Sequence, residues 1–322
     1  MPDKSFINAG LRGIDTRARR VALLVAVAVL MSGCVTTMGT GAPAVDAGNT
    51  AATQPKAVLD PDYRALLLAH GERALEGAKY DEASSAYKRI LDAEPRNAEA
   101  TFGMAETMLA SGNQPAALNF YRALGKDESF KARALQGEGI ALLNFGQHAQ
   151  SIEALRAAVV ADPSLWRAWN GLGRTLDAQG KHDEARASYD RALAVAPDAA
   201  TVFNNRGVSN MLAGRYVEAE ADLRKAIAID RDLERVRGNL RLALAWQGKY
   251  VEALTDVTRI NVPMALNNIG YIAMKRGDLN HAEAYFAQAM QLSPAFYDKA
   301  DRNLRFLHEI RKLQAVADSK KS

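Results

Sequence analysis

The chain has 322 residues, a formal net charge of +4 and a single cysteine, Cys34. One cysteine excludes an internal disulfide framework. The charge does not point to nucleic acid: residues 1–33 hold Lys4, Arg12, Arg17, Arg19 and Arg20 against Asp3 and Asp15, a net +3, which leaves the remainder near +1 with no basic stripe.

Arg17, Arg19 and Arg20 precede an apolar run, Val21 to Met31, and then Ser32, Gly33 and Cys34. A basic segment, about eleven apolar residues and a small-residue end read as a secretory signal over 1–33. A membrane-spanning helix needs about 20 apolar residues, more than this run supplies. By itself Cys34 is either a modified residue or a free cysteine beside a cleavage site. The string Leu30-Met31-Ser32-Gly33-Cys34 resembles the lipobox of bacterial lipoproteins, with Met31 where leucine is commoner. The resemblance implies that Cys34 is acylated and becomes the first mature residue. It also implies a destination: Val35, where an aspartate usually signals inner-membrane retention, points to the outer membrane, facing the periplasm. Several acyl chains on one residue meet the requirement for more than one anchoring signal. Residues 34–60 are rich in Gly, Ala, Thr and Pro without helical period, and are expected to form a lipidated flexible tether. A tether of that length spans on the order of 25–30 Å root-mean-square.

From residue 61 onward the sequence repeats with a period of 34. One series of small residues runs Gly71, Ala105, Gly139, Gly173, Gly207, with Arg241 as the misfit. A second, twelve residues later, runs Ala83, Ala117, Ser151, Ala185, Ala219, Ala253, and a third marks turns at Gly112, Gly146, Gly180, Gly214 and Gly248. Within 166–199, Trp169, Leu172, Gly173 and Leu176 share one helical face, Gly180 breaks it, and Ala185, Tyr189, Ala192 and Leu193 form a second face closed by Pro197. Two helices approach closely only where neither carries bulk, so Gly173 and Ala185 are predicted to meet, with Tyr189 filling the space beyond. A mid-helix glycine costs about 1 kcal/mol, so its recurrence marks a packing demand.

Trp169, Leu172, Gly173, Ala185, Tyr189, Ala192 and Pro197 resemble the tetratricopeptide-repeat (TPR) pattern. The implied fold is all-α: a TPR solenoid, a right-handed superhelix of helix-turn-helix units. Over 61–296 seven units are delimited: 64–97, 98–131, 132–165, 166–199, 200–233, 234–262 and 263–296. The sixth is five residues short, with the loss between Ala253 and Pro263. Two readings of the shortfall are open, a change in superhelix direction or a tolerated loop deletion. Residues 297–317 read as a capping helix, with Leu304, Leu307, Ile310 and Leu313 on one side and Lys299, Arg302, Arg305, Arg311 and Lys312 on the other. A basic membrane-surface helix is the alternative there. Residues 318–322 read as a solvated tail.

No catalytic constellation emerges. His70, His148, His182, His281 and His308 lack metal-ligand spacing and are read as surface residues. Gly137-Glu138-Gly139 falls inside a helix and follows no strand, so it is no nucleotide loop. No cofactor, metal, nucleic acid or small-molecule substrate is expected, and the protein is not read as an enzyme. A protein partner is expected on the face lined by first helices, on Arg133, Gln136, Arg167, Asn170, Arg174, Asn204, Asn205, Arg235, Asn239, Asn267, Asn268 and Tyr271. Asparagine can pair with a peptide backbone in either direction, and arginine can grip a carboxylate with two bonds. The same asparagines can equally support local structure.

Lipobox, tether, TPR array and cap together, with the final unit NNIGYIAMKRGDLNHAEAYFAQAMQLSPAFYDKADRNLRFL, resemble the TadD-type TPR lipoproteins of Flp (Tad) pilus and secretion systems. That resemblance implies an outer-membrane assembly factor, pilotin-like, whose partners are a secretin ring or pilus components. Two other periplasmic TPR lipoproteins fit the same features: an outer-membrane protein assembly factor, and an adaptor regulating cell-wall enzymes.

Overall fold

The computed structural model describes residues 59–230, 234–293 and 298–319. The signal-like segment, Cys34, nearly all of the tether and the chain end lie outside the described residues. Among the described residues every regular element is helical. The helices are α1 (Pro61–Glu76), α2 (Tyr80–Ala93), α3 (Ala98–Ala110), α4 (Gln114–Leu124), α5 (Lys131–Asn144), α6 (His148–Ala161), α7 (Trp166–Ala178) and α8 (His182–Val195). They continue as α9 (Ala200–Leu212), α10 (Tyr216–Ile229), α11 (Glu234–Trp246), α12 (Tyr250–Ala253), α13 (Val262–Arg276), α14 (Leu279–Leu292) and α15 (Asp298–Ser319). A single 3₁₀ turn, Arg259–Asn261, precedes α13.

Local chemistry sets the boundaries. Asp60 caps α1, its carboxylate accepting from the Asp62 and Tyr63 amides at 3.0 and 3.1 Å, and Pro61 takes the first helical position. The turn glycines 112, 146, 180, 214 and 248 all adopt left-handed backbone, with φ between 77° and 85°. There the chain reverses by a Schellman motif: the Lys181 amide donates to the Leu176 carbonyl and the Gly180 amide to that of Asp177. In the first turn Ala78 holds this conformation at φ 55°.

Apart from α12 and α13, each helix packs on the next, and each first helix also touches the first helix of the following unit. The small-residue series explains how. A Cβ on Gly173 would stand 2.6 Å from the Tyr189 ring, on Gly139 2.5 Å from Leu155, on Gly207 2.8 Å from Leu223, and on Gly270 2.9 Å from Phe286. The bulky residue 16 positions downstream therefore lies directly on the glycine, as the spacing predicts for Tyr189 on Gly173. The alanine series comes close too: the Ala219 and Ala282 carbonyls would stand 3.3 and 3.2 Å from a Cβ on Gly207 and Gly270. Ser151, the one hydroxyl in the alanine series, is fully buried. Its Oγ donates to the Gly139 carbonyl at 2.8 Å and lies 3.0 Å from Thr175 Oγ1.

A second glycine series went unread in the sequence. Gly103 and Gly137 would each place a Cβ within 2.3 Å of a tyrosine in the preceding unit, Tyr87 and Tyr121 respectively, and Gly171 would place one 3.2 Å from Leu155. Each of these side chains is thus held between its own first helix and the next one. Tyr87, Tyr121, Leu155 and Tyr189 are all buried.

The short sixth unit has a local cause. Its second helix, α12, stops after four residues at Ala253, and Asp256 turns the chain at φ 59°. As elsewhere in the array, α11 packs against the next first helix, α13. No bulky residue then lies across position 241, so Arg241 is tolerated there. Its guanidinium folds back to Glu234 at 3.0 Å and to the Asp256 carbonyl at 3.4 Å.

At the C-terminus α15 covers α13 and α14 with buried Ala300 and Leu307, flanked by Leu304 and Ile310. Leu313, placed by the sequence on the same apolar side, is 70% exposed. The helix outruns the surface it covers.

Candidate protein-binding face

The twelve candidate residues fall into groups by burial. Arg133, Arg167, Arg174 and Arg235 are exposed; Gln136, Asn170, Asn204 and Asn267 are buried; Asn205, Asn239, Asn268 and Tyr271 are half-buried. The amides bind one another. Asn205 Nδ2 donates to Asn170 Oδ1 at 2.9 Å, Asn204 to Asn205 at 3.2 Å, and Asn239 to Asn204 at 2.9 Å. Asn303 of α15 donates to Asn267 at 2.9 Å, continuing the pattern onto the cap. A ladder of amide bonds thus joins the first helices of the fourth, fifth and sixth units, and the cap to the seventh, each element donating back to the one before.

One repeat position changes role along the chain. Where the earlier units carry Gly103, Gly137 and Gly171, the next two carry Asn205 and Asn239. Glycine there admits a ring or branched side chain; asparagine there ties back to the previous unit. Gln136 sits where the two patterns meet. Its ladder partner would come from position 171, which is glycine, and Gln136 Oε1 is buried without a hydrogen bond.

The arginines are differently placed. Arg167 reaches Glu106, two units back, at 3.3 Å. Arg133 lies over the rings of Phe102 and Phe130, 5.1 and 4.3 Å from their centroids. Arg174 is open to water yet recessed. Crowding by protein, together with the like charge of Arg235 and against the pull of Tyr189, holds its guanidinium below the usual arginine range. Tyr271 lies under Lys275, 5.5 Å from its ammonium.

The polar side chains between helices form structural clusters. Among the described residues no three metal-binding side chains converge. His182, read as a surface residue, is instead turned inward, its Nδ1 2.8 Å from Asp177 Oδ1. Asp177 also accepts from Tyr189 at 2.9 Å and from Ser209 at 2.8 Å. Burial raises its pKa, and the bonds from His182, Ser209 and Tyr189 offset that only in part. Aspartate, histidine and serine are present, but both partners bond the carboxylate and Ser209 is fully buried, so no nucleophile faces a substrate. The cluster ties α7, α8 and α9 together. The truncated unit leaves a cleft of about 520 Å³ lined by Arg224, Ile227, Arg237, Leu240, Arg241 and Glu252. Sequence reading located the deletion but could not show this cleft. Among the described residues no helix is long and apolar enough to cross a membrane.

Stacked helix pairs, ring-on-glycine contacts and an amide ladder between first helices define an α-solenoid, a class in which a long side-chain face is available to other proteins. Tetratricopeptide-repeat family models match residues 74–137, 137–194, 172–234 and 263–296. The chain is a tetratricopeptide-repeat protein, and that repeat fold is typically a non-catalytic protein-interaction scaffold. No curated protein matches it in sequence. Among solved structures it is similar to PilW, a widely conserved type IV pilus biogenesis factor, at 19% identity and TM-score 0.53, covering 76% of this chain and 100% of that one. It is similar to TTC0263, a thermophilic TPR protein of Thermus thermophilus, at 22% identity and TM-score 0.52, covering 56% and 98%. It also resembles a chain of the APC/C hetero-tetramer Cut9-Hcn1, at 16% identity and TM-score 0.52, covering 77% and 50%. At these identities the likeness is one of fold.

Proposed function

We propose that this chain is a lipid-anchored TPR scaffold of the outer membrane that holds protein components of a Flp/Tad pilus or secretion apparatus during assembly. One observation carries the reading: a lipobox-type cysteine, Cys34, stands a short tether away from a TPR array. The lipid would fix the molecule to the membrane, and the exposed arginines of the first-helix face would engage the partner. Arg167 and Arg174 are the best placed, because both are exposed and lie on the same helix, α7. No catalytic step is assigned to the protein. That PilW, of the same fold, is a pilus biogenesis factor is compatible with this reading.

The test is crosslinking in intact cells followed by pull-down from the envelope. The wild-type chain is expected to recover a secretin or pilus-machinery component, and Arg167→Ala/Arg174→Ala to recover at least about tenfold less, the equivalent of about 1.4 kcal/mol. Recovery of no envelope-machinery component, or equal recovery by both chains, defeats the proposal. Recovery of cell-wall enzymes would favour the adaptor role instead.

A further inference from the structure

The candidate residues begin at Arg133, but the first-helix face extends further toward the N-terminus, and there it changes chemistry. A pocket of about 420 Å³ opens between α1, α3 and the start of α5. Leu68, Leu75 and Phe102 supply apolar walls, and Glu72, Glu99 and Glu106 supply three carboxylates. Glu106 is engaged: it accepts from the Tyr121 hydroxyl at 2.6 Å and pairs with Arg167 at 3.3 Å. Glu72 and Glu99 are exposed and make no ion pair among the described residues. Arg133 lines the pocket too, but it lies over Phe102 and Phe130. The aromatic rings of the pocket therefore already hold a cation, while the carboxylates of Glu72 and Glu99 are paired with none among the described residues.

Tyr87 supplies an independent observation. It lines the same pocket, is only 2% exposed, and its hydroxyl makes no hydrogen bond among the described residues. Tyrosines at the same repeat position are satisfied: Tyr121 donates to Glu106 and Tyr189 to Asp177. The ring of Tyr87 passes between Gly71 and Gly103, where an added Cβ would stand 2.6 and 2.3 Å from its Cζ. The hydroxyl end thus emerges between α1 and α3, on the side of Glu72 and Glu106. Burial, and then the charges of those two glutamates, hold its pKa up at about 12, which agrees with that placement. The hydroxyl oxygen is open to the pocket at that end, where a bound group can reach it.

We propose that this pocket receives a lysine or arginine side chain presented by a segment of the partner protein. The inference rests on the reading of the chain as a protein-binding scaffold. The alkyl stem would lie on Leu68, Leu75 and Phe102, and the cationic head would sit between Glu72 and Glu99 within reach of the Tyr87 hydroxyl oxygen. Charge complementarity selects the occupant: an apolar side chain would leave two carboxylates and the hydroxyl facing it, and an acidic one would be repelled. With the arginines of α7 further along the same face, the two ends of the face discriminate opposite charges, which sets the direction in which a partner segment can lie.

The test uses the full chain in detergent micelles and fluorescence anisotropy with blocked, labelled Gly/Ser peptides. Their centres are Leu-Lys-Leu, Leu-norleucine-Leu and Leu-Glu-Leu. The lysine peptide is expected to bind at least about tenfold more tightly than the norleucine peptide, and the glutamate peptide not at all. Glu72→Gln/Glu99→Gln should erase the lysine preference without moving the melting temperature, since both residues are exposed. Arg174→Ala alone, which leaves the Arg167–Glu106 pair in place, should keep the preference intact, so this result separates from the partner-capture experiment. Equal binding of lysine and norleucine peptides, or a preference that survives Glu72→Gln/Glu99→Gln, overturns the proposal.

Discussion

Gly173 and Gly238 are both mid-helix glycines, and the structure assigns them opposite roles. A Cβ at 173 would lie 2.6 Å from the Tyr189 ring, whereas one at 238 would meet nothing within 4 Å. Gly173→Ala should therefore cost about 1–3 kcal/mol through overpacking, despite the better helix propensity of alanine. Gly238→Ala should gain about 0.5–1 kcal/mol. Urea midpoints of the two variants, moving in opposite directions, would check this; two shifts of the same sign would refute it. Gln136 offers a second residue-scale test. Its buried Oε1 lacks a partner because position 171 carries no side chain. Gln136→Leu should then stabilise the fold by about 1–2 kcal/mol. A lower midpoint in the same assay would show that the amide is satisfied in solution. The Gly173–Tyr189 contact was readable in the sequence because both residues obey the 34-residue period. The orphaned amide was not, because it arises from two positions 35 apart whose pairing depends on how successive units stack.

Between elements, polar ties hold what small residues bring together. Glu220 of α10 accepts from Lys249 at 2.7 Å, Gln247 at 2.9 Å and Arg224 at 2.9 Å, binding its own helix to the turn before α12. Burial raises its pKa, but the three bonds outweigh burial and hold it at about 2, against an ordinary 4.5. A depressed carboxylate contributes its stability above about pH 4.5, and that contribution fades as pH falls toward 2. Glu220→Gln should cost about 2 kcal/mol at pH 7, with the gap between variant and parent melting temperatures closing below about pH 3. A gap that stays constant from about pH 7 to pH 2.5 would dismiss the role assigned to this carboxylate. The element-scale surprise is α12. The sequence located five missing residues after Ala253, and the structure shows what their loss does: the helix ends within one turn and Arg241 lines the cleft that is left. An arginine in a series of small residues looked like an exception to the repeat. It is the residue that the truncation permits.

For the whole molecule, the decisive expectation concerns attachment. Cys34→Ser should shift the chain from membrane to soluble fractions after cell disruption, with its helical content and melting temperature unchanged, because α1 begins well beyond the cysteine. A variant that remains with the membrane would reject the lipid anchor. The sequence alone determined the repeat architecture, its turns and the position of its interruption, since a 34-residue period constrains every unit through contacts inside it and with its neighbours. It also singled out the arginines that prove exposed on α5, α7 and α11. Tertiary structure decided which candidate residues remain available to a partner. Asparagines that looked like a binding stripe are largely occupied with one another, and an acidic, aromatic pocket opens at the end of the face where Arg133 was the single candidate. Periodicity reports which positions must be small or apolar. Whether a polar side chain meets another polar group or open space depends on the stacking of residues some 35 positions apart, which only the assembled solenoid brings within reach.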